Sequence, residues 1–349
     1  MPINQVSTIS VDIGHSNLKI IQIAPDGKIN KFVVHKMPEG CVDDLNIFSE
    51  DALVHSLKTA RKKAKMRKGK CYLVLSGSDI IIRQFTLPML EEKQLYQNIL
   101  HEISGYLPVD PEKYYVDYKI AGIINEDGID MYKLIVTTAH RRTIDKYKKA
   151  LRAAGFRVKI IDTCENSKEK LLRYNHSKDD SFPISGGICI LDLGTKYTRV
   201  NLYYNGYYYV SNIIKRSSQS ITEVISQYSG KDILVSEMIK RETDFLNSAH
   251  PNEEIKSAVT YEVDSLLYEI SRVFDYYKNR TKSVINTIYI AGGGSLLPGL
   301  KEYIEKHIGI PVRFAADLVL ATNANNKVDA KGFSFLLNAY SATFREDQK

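Results

Sequence analysis

Two short segments of the sequence place an aspartate and a glycine in the same frame, each at the end of an apolar run. The first is Asp12-Ile13-Gly14, and the second is Asp192-Leu193-Gly194. A glycine in such a turn lets backbone N–H groups come close to phosphate oxygens. Two facing aspartates can hold a hydrated Mg²⁺, which keeps several waters and takes few protein carboxylates. The pair therefore predicts a phosphate-binding cleft, with Asp12 and Asp192 holding Mg²⁺ through water.

The surroundings of the two turns also repeat, because residues 10–20 align with residues 190–200. Each segment contains an apolar strand, the turn, a basic residue at the same offset (Lys19 or Arg199) and a second apolar strand. One such turn alone is more simply explained as an aspartate that ends a strand. Two in a shared frame, each opening one half of the chain, favour a duplicated unit. Besides the two aspartates, the predicted phosphate ligands are Gly14, His15, Ser16, Asn17, Lys19, Gly194, Thr195 and Lys196.

A third glycine-rich turn follows an apolar strand near the C-terminus. Its residues are Gly292, Gly293, Gly294 and Ser295. Glycines in this position allow the backbone to approach a bulky group closely. A dinucleotide fingerprint fits poorly, because no acidic residue closes a following strand at the usual offset. An adenosine-holding turn fits better, given the phosphate turns upstream.

Composition restricts the class of protein. The 349 residues carry a net charge of +7, with 44% hydrophobic and 26% charged residues, which is typical of a globular chain. The four cysteines show no metal or disulfide spacing and suit a reducing cytoplasm. No signal peptide and no apolar run long enough to cross a bilayer is found. The charge is too small to indicate nucleic-acid binding unless it is concentrated on one face.

The densest basic stretch is residues 61–68. Its simpler interpretation is a solvated helix end that leads into a strand at residue 71. A contact with anionic lipid is the alternative, and nothing else in the sequence supports it.

Apolar periodicity predicts alternating strands and helices throughout. A polar stretch at 176–185 predicts the boundary between two lobes, residues 1–178 and 179–349. Helices are predicted at about 49–66, 91–105, 141–154, 166–174, 217–227, 234–247, 253–279, 299–308 and 333–344.

The three glycine turns, in this order, resemble the actin-like ATPase superfamily. Within it, the block from residue 83 to residue 156 is similar to the type IV pilus assembly protein PilM family, and the chain is more distantly similar to the cell-division protein FtsA. The motifs that carry this resemblance are residues 83–88, 103–109, 115–118, 138–142 and 153–156. In the second half, residues 236–240 resemble the Ala-Glu-x-x-Lys helix of the superfamily. That match implies contacts of Glu237 and Lys240 with ribose and adenine.

The resemblance implies an α/β, actin-like (ribonuclease H-like) duplicated fold: two lobes and four subdomains around a nucleotide cleft. A small subdomain would be inserted at about 76–162, and the C-terminal helix would pack back on the first lobe. The implied cofactors are ATP and Mg²⁺. The implied partner is the cytoplasmic N-terminal peptide of a PilN-like inner-membrane protein, bound beside the inserted subdomain, with other pilus platform proteins and assembly ATPases nearby.

The resemblance further implies a cytoplasmic protein at the inner face of the membrane, reaching it only through its partner, and no nucleic acid. The sequence assigns no catalytic base, so at most slow ATP hydrolysis is expected. Two alternatives remain open: a filament-forming relative of the cell-division type, and a sugar or metabolite kinase. The kinase would need a sugar-binding loop and a catalytic aspartate, which the sequence does not show.

Overall fold

A computed structural model describes residues 7–345, apart from residues 25–26, 68, 108–109, 250 and 321–327. The elements of the first half are β1 (Thr8–Ile13), β2 (Asn17–Ile23), β3 (Ile29–Lys36), β4 (Val42–Asp43), β5 (Asn46–Ile47), α1 (Glu50–Lys63), β6 (Lys70–Leu75), β7 (Ile80–Pro88), α2 (Glu92–Ser104), β8 (Tyr114–Glu126), β9 (Ile129–His140), α3 (Arg141–Ala153), β10 (Arg157–Thr163) and α4 (Cys164–Lys178).

The elements of the second half are β11 (Gly187–Leu193), β12 (Thr198–Tyr204), β13 (Tyr207–Ile214), α5 (Ser218–Ser229), α6 (Ile233–Glu242), α7 (Glu253–Thr281), β14 (Ile285–Ala291), α8 (Leu300–Ile308), β15 (Val312–Phe314), α9 (Ala316–Leu320) and α10 (Ala330–Ser341). Two short 3₁₀ turns, Pro111–Lys113 and Gly293–Leu296, complete the chain.

Each half is built on a five-stranded sheet, and the two sheets have the same plan. The first has the order β10-β6-β1-β2-β3, and the second has the order β15-β14-β11-β12-β13. In both, the central strand pairs antiparallel with the strand that follows it and parallel with its other neighbour. The duplicated α/β fold expected from the sequence is thereby confirmed.

A separate three-stranded antiparallel sheet interrupts the first half between β6 and β10. Its strand order is β7-β9-β8. Helix α2 covers one face of this sheet, where Leu95, Ile99 and Ile103 pack against Leu134 and Val136. Strand β10 belongs to the large first sheet, since it pairs with β6. The independently packed part of the insertion is therefore the segment from β7 to β9 with α2.

Helices α4 and α10 lie between the two large sheets. Leu171 and Leu172 of α4 and Leu336 and Leu337 of α10 are fully buried in one apolar cluster with strand residues of both halves, including Ile21. Apolar burial of this kind contributes about 1.5–3 kcal/mol for each large side chain. The C-terminal helix thus contacts both halves rather than the first one alone.

Local capping fixes the ends of the helices. Ser49 accepts a hydrogen bond from the Ala52 N–H at the start of α1, and Thr163 does the same for Asn166 at the start of α4. The Thr163 cap sets the start of α4 at Cys164. The helix extends to Lys178, so it is longer than predicted and includes the beginning of the predicted linker. Helix α6 ends at Glu242, earlier than predicted.

Candidate nucleotide-binding site

The two Asp-x-Gly turns are closed by the same hydrogen bond. The Gly14 N–H donates to the Asn17 carbonyl at 3.1 Å, and the Gly194 N–H donates to the Tyr197 carbonyl at 3.0 Å. The strand registers match as well, because Asp12 lies opposite Lys19 and Asp192 lies opposite Arg199. Directly opposed residues share one face of a sheet, so each aspartate has a basic side chain as its neighbour.

A cavity of about 110 Å³ lies between these two turns. Most of the predicted ligands line it: Asp12, Gly14, His15, Ser16, Asn17, Lys19, Asp192, Gly194, Thr195, Lys196, Gly292 and Gly293. Four predicted residues, Glu237, Lys240, Gly294 and Ser295, are absent from that lining. The structure also brings in residues that were not predicted as ligands, including Asp44, Ser76, Tyr197, Arg199, Ser334, Phe335 and Asn338.

The third glycine turn approaches the second phosphate turn closely. Gly292 has φ of +80°, and a Cβ there would lie 2.5 Å from the Leu193 carbonyl oxygen and 2.7 Å from Asp192 Oδ1. Only glycine fits this position without displacing the backbone. Ser295 Oγ donates to the Gly292 carbonyl at 2.7 Å and is itself buried, so this serine holds the turn rather than facing the cavity.

Lys19 forms an ion pair with Asp12 at 3.1 Å on the first side of the cavity. Burial of the Lys19 ammonium lowers its pKa, but the charges of Asp12 and Asp192 outweigh this and leave the pKa above its usual value. Lys19 is therefore a permanent cation beside the turn, as a phosphate ligand must be.

Asp192 is held from elements far away in the sequence. Its Oδ2 accepts a hydrogen bond from Asn338 of α10 at 3.0 Å and lies 3.6 Å from the ammonium of Lys168 in α4. Burial raises the pKa of Asp192, but Lys168, Asn338 and Arg199 outweigh burial and leave the pKa lowered. Asp192 is accordingly ionised. Among the described residues, the fully buried Nζ of Lys168 has no hydrogen-bond acceptor, which leaves positive charge behind this carboxylate.

A small acidic hairpin, β4–β5, reaches across the cavity. The ammonium of Lys196 donates to Asp43, and Asp44 lies 3.8 Å from the Arg199 guanidinium. The hydrogen bond from Lys196 is the main cause of a lowered pKa at Asp43. His15 Nδ1 lies 3.0 Å from the Val42 carbonyl oxygen, to which it donates, and thus helps to hold the hairpin. The first and second halves of the chain are joined by ion pairs over the predicted phosphate site.

The size of the cavity shows what this arrangement means for a ligand. At about 110 Å³ it matches the liquid volume of only about four water molecules. Ligand sites for small molecules are usually about 300–1,000 Å³. As it stands, the cavity is smaller than such a site, and Asp44, which lines it, lies 3.8 Å from Arg199 of the second half.

Glu237 and Lys240 lie on α6, away from the cavity lining. Lys240 is buried, and its ammonium is 2.6 Å from Glu237 and donates to the Ser218 carbonyl and the Thr222 hydroxyl at 2.8 and 2.7 Å. These bonds tie α6 to α5. A Cβ on Gly294 would lie 3.1 Å from the Ser218 side chain, so α5 packs directly against the third glycine turn.

Asp162 and Cys164, at the junction of β10 and α4, do not line the cavity. Asp162 at the end of β10 pairs with Lys170 and lies 3.6 Å from Arg345, and it is absent from the cavity lining. Burial raises the pKa of the Cys164 thiol at the start of α4, so this thiol is neutral. Within the described residues, no cluster of three His, Cys, Asp or Glu side chains that could hold a metal is present.

Comparison with known proteins connects this site to a family. A sequence profile described as type IV pilus assembly protein PilM matches residues 10–341. The chain belongs to the PilM family. A chain in a solved structure described as a PilM–PilN type IV pilus biogenesis complex has a similar fold. The match covers 96% of this chain and 98% of that chain, with a TM-score of 0.80 and 19% identity.

Other relatives of this PilM-family chain are more distant and show the shared fold. The cell division protein FtsA of Buchnera aphidicola subsp. Baizongia pistaciae is 23% identical over 78% of this chain and 73% of its own length. MreB5 of Spiroplasma citri, solved with AMPPNP, has a TM-score of 0.56 and 13% identity, with 92% of this chain and 96% of that chain covered. The actin-like fold expected from the sequence is confirmed by these neighbours.

Within the described residues, none of the helices of the PilM-family chain has both the length and the apolar character that crossing a bilayer requires.

Proposed function

We propose that the chain is an ATP-binding scaffold of the type IV pilus assembly machinery, at the cytoplasmic face of the inner membrane, where it binds the N-terminal peptide of a PilN-like membrane protein. The observation that carries this proposal is the PilM match over residues 10–341, together with the similarity of the fold to a PilM–PilN complex. Other platform proteins and the assembly ATPases are further partners in the same proposal.

The donors around the cavity support a nucleotide as the ligand. The two glycine turns offer backbone N–H groups, and Lys19 and Lys196 offer ammonium groups at the same place. These groups suit the phosphates of ATP. The neighbouring glycine turn at residues 292–294 would lie beside the rest of the nucleotide.

Charge balance supports Mg²⁺ as well. The cleft holds four cations (Lys19, Lys168, Lys196 and Arg199), and carboxylates lie beside them, with Asp12, Asp192, Asp43 and Asp44 as partners. A triphosphate would add negative charge without compensation. A divalent cation held through water by Asp12 and Asp192 would offset part of that charge.

The outer strand of the inserted sheet supports a peptide site. Strand β8 pairs with β9 on one side, and in the described part of the chain no strand pairs with its other side. Its side chains Ile120 and Ile123 are 46% and 56% exposed. An extended peptide can add to such an edge through main-chain hydrogen bonds, while apolar side chains give specificity. We place the PilN-like peptide along β8.

Titration of the purified full-length protein with a labelled N-terminal peptide of a PilN-type protein tests the proposal. The peptide should bind in a saturable way, and a scrambled peptide of the same composition should not. If no binding is detected at high micromolar peptide, the assignment of the pilus partner is wrong.

A further inference from the structure

Two short segments of the chain concentrate its positive charge. Residues 58–70 contain eight Lys and Arg and no Asp or Glu, and residues 141–159 contain eight Lys and Arg and one Asp. Together these segments have a formal charge of +15, whereas the whole chain has +7, so the remainder is at −8. A separation of charge on this scale gives the protein a directional electrostatic field.

The fold brings the described part of residues 61–70 and the end of the second segment, residues 152–159, onto one face, here called the basic face. Helices α1 and α3 share the core of the first half, and Arg61 at the end of α1 donates to the Gly155 carbonyl at 2.7 Å. Arg61 also lies over the Phe156 ring, 5.1 Å from its centroid. Strands β6 and β10 start side by side, with Lys70 opposite Arg157.

The basic face lies opposite the cleft. Strands β1, β6 and β10 run parallel, so their first residues share one edge of the sheet and their last residues share the other. Asp12 is near the end of β1, on the cleft side, whereas Lys70 and Arg157 begin β6 and β10. A partner bound at the basic face would leave the cleft open.

The basic face is exposed and shallow. A depression of about 860 Å³ is lined by five cations over an apolar floor that includes Ile9 and Val158, and in the described part of the chain no carboxylate lines it. Its cations are Arg61, Lys70, Arg152, Arg157 and Lys159. Around it, Lys62, Lys63, Lys65 and Arg67 are exposed as well.

We infer that this basic face docks directly on an anionic phospholipid surface. Five of these nine cations are lysines, which are strongly hydrated point charges and suit diffuse attraction to a charged surface. Binding of single-stranded nucleic acid would favour exposed rings for stacking, but the two aromatic rings of these segments, Tyr147 and Phe156, are buried. The inference goes beyond the proposed function, in which only the peptide connects the chain to the membrane.

Vesicle co-sedimentation of the full-length protein tests this inference. Phosphatidylcholine vesicles serve as the neutral surface, and mixed phosphatidylcholine–phosphatidylglycerol vesicles serve as the anionic surface. The variant Lys62→Gln/Lys63→Gln/Arg152→Gln/Arg157→Gln removes four exposed charges from the basic face. The matched control Lys215→Gln/Lys231→Gln/Lys278→Gln/Lys306→Gln removes four exposed charges from the second half.

The wild type and the control should bind anionic vesicles and not neutral ones, and added salt should weaken the binding. Each charge near an anionic surface changes affinity by about fivefold, so the basic-face variant, which loses four charges, should bind on the order of several hundredfold more weakly. Equal binding by the two variants, or equal binding to both kinds of vesicle, would overturn the inference. So would a basic-face variant that loses affinity for a short DNA duplex while it still binds anionic vesicles. Circular dichroism melting of both variants confirms that they are folded.

Discussion

Asp43 of the β4–β5 hairpin and Lys196 of the second phosphate turn form an ion pair across the cleft. A second pair, Asp44 with Arg199 at 3.8 Å, lies beside it. Lys196 is one of the ammonium groups that a nucleotide phosphate would need. Under the proposed function, the acidic hairpin and a bound phosphate would therefore compete for the same cation.

Asp43→Asn should strengthen the binding of Mg-ATP, because it releases Lys196 for the phosphates. The Asp43 and Lys196 side chains are 32% and 38% exposed, so the pair is partly screened by solvent. We expect a gain in affinity of up to about fivefold, measured by isothermal titration calorimetry. Asp51→Asn, an exposed change at the start of α1, is the control. Weaker binding by Asp43→Asn would show that this carboxylate helps to hold the ligand.

Asp12→Asn should destabilise the fold as well as the site, since it leaves the Lys19 ammonium without its carboxylate partner. Both side chains are mostly buried: the Lys19 side chain is 16% exposed and the Asp12 side chain is 8% exposed. We expect a loss of about 2 kcal/mol in the free energy of unfolding, measured in urea.

Adding Lys19→Met to Asp12→Asn should restore most of that stability, because no unpaired charge is then left behind. If the double variant is no more stable than Asp12→Asn alone, the Asp12–Lys19 pair does not contribute in the way that its geometry indicates.

Gly292→Ala should be more harmful than Gly309→Ala, although both glycines have positive φ, at +80° and +73°. Gly309 has left-handed backbone with ψ of 21°, which costs an alanine about 1–2 kcal/mol, whereas Gly292 has ψ of 169°, a conformation that essentially only glycine adopts. A Cβ at Gly309 meets no atom within 4 Å, whereas a Cβ at Gly292 meets the Leu193 carbonyl and Asp192. The difference between the two variants in urea unfolding measures this contact together with the backbone strain at position 292. Equal losses would mean that the third glycine turn does not pack against the second phosphate turn.

Ile120→Asp and Ile123→Asp should weaken binding of the PilN-type peptide by at least about tenfold, because they place charge on the apolar edge of β8. Leu234→Asp, at a site 63% exposed on α6, is the control and should bind the peptide as the wild type does. Fluorescence anisotropy with a labelled peptide distinguishes these results. Unchanged binding by both β8 variants would move the peptide site away from this strand.

Local turn chemistry explains why the phosphate turns were predictable. Asp12 and Asp192 each lie next to their own glycine, and the repeat places them in equivalent positions of two sheets. The β4–β5 hairpin has no such recognisable pattern in the sequence. Its strands have two residues each, and Asp44 adopts a positive φ of 52°, which sequence periodicity does not detect.

Helix α4 shows a second reason why some residues near the site were not predicted from the sequence. Its sequence is rich in charged residues and looks solvent-exposed, yet Glu165, Lys168, Glu169 and Lys170 are all buried. The cause is tertiary, because α4 lies between the two large sheets and its charged side chains find partners in other elements. Glu169, for example, accepts a hydrogen bond from the Tyr208 N–H of β13 at 2.8 Å. Lys168 and Asn338 reach Asp192 from elements that only the folded chain brings together.

The central claim is that the two Asp-x-Gly turns form one nucleotide site. Isothermal titration of Mg-ATP into the wild type and into Asp12→Asn/Lys19→Met tests it most directly, since the double variant is expected to fold normally. Saturable heat is expected with the wild type and none with the variant. Equal affinity in the two proteins, or no binding by the wild type at millimolar Mg-ATP, would contradict it.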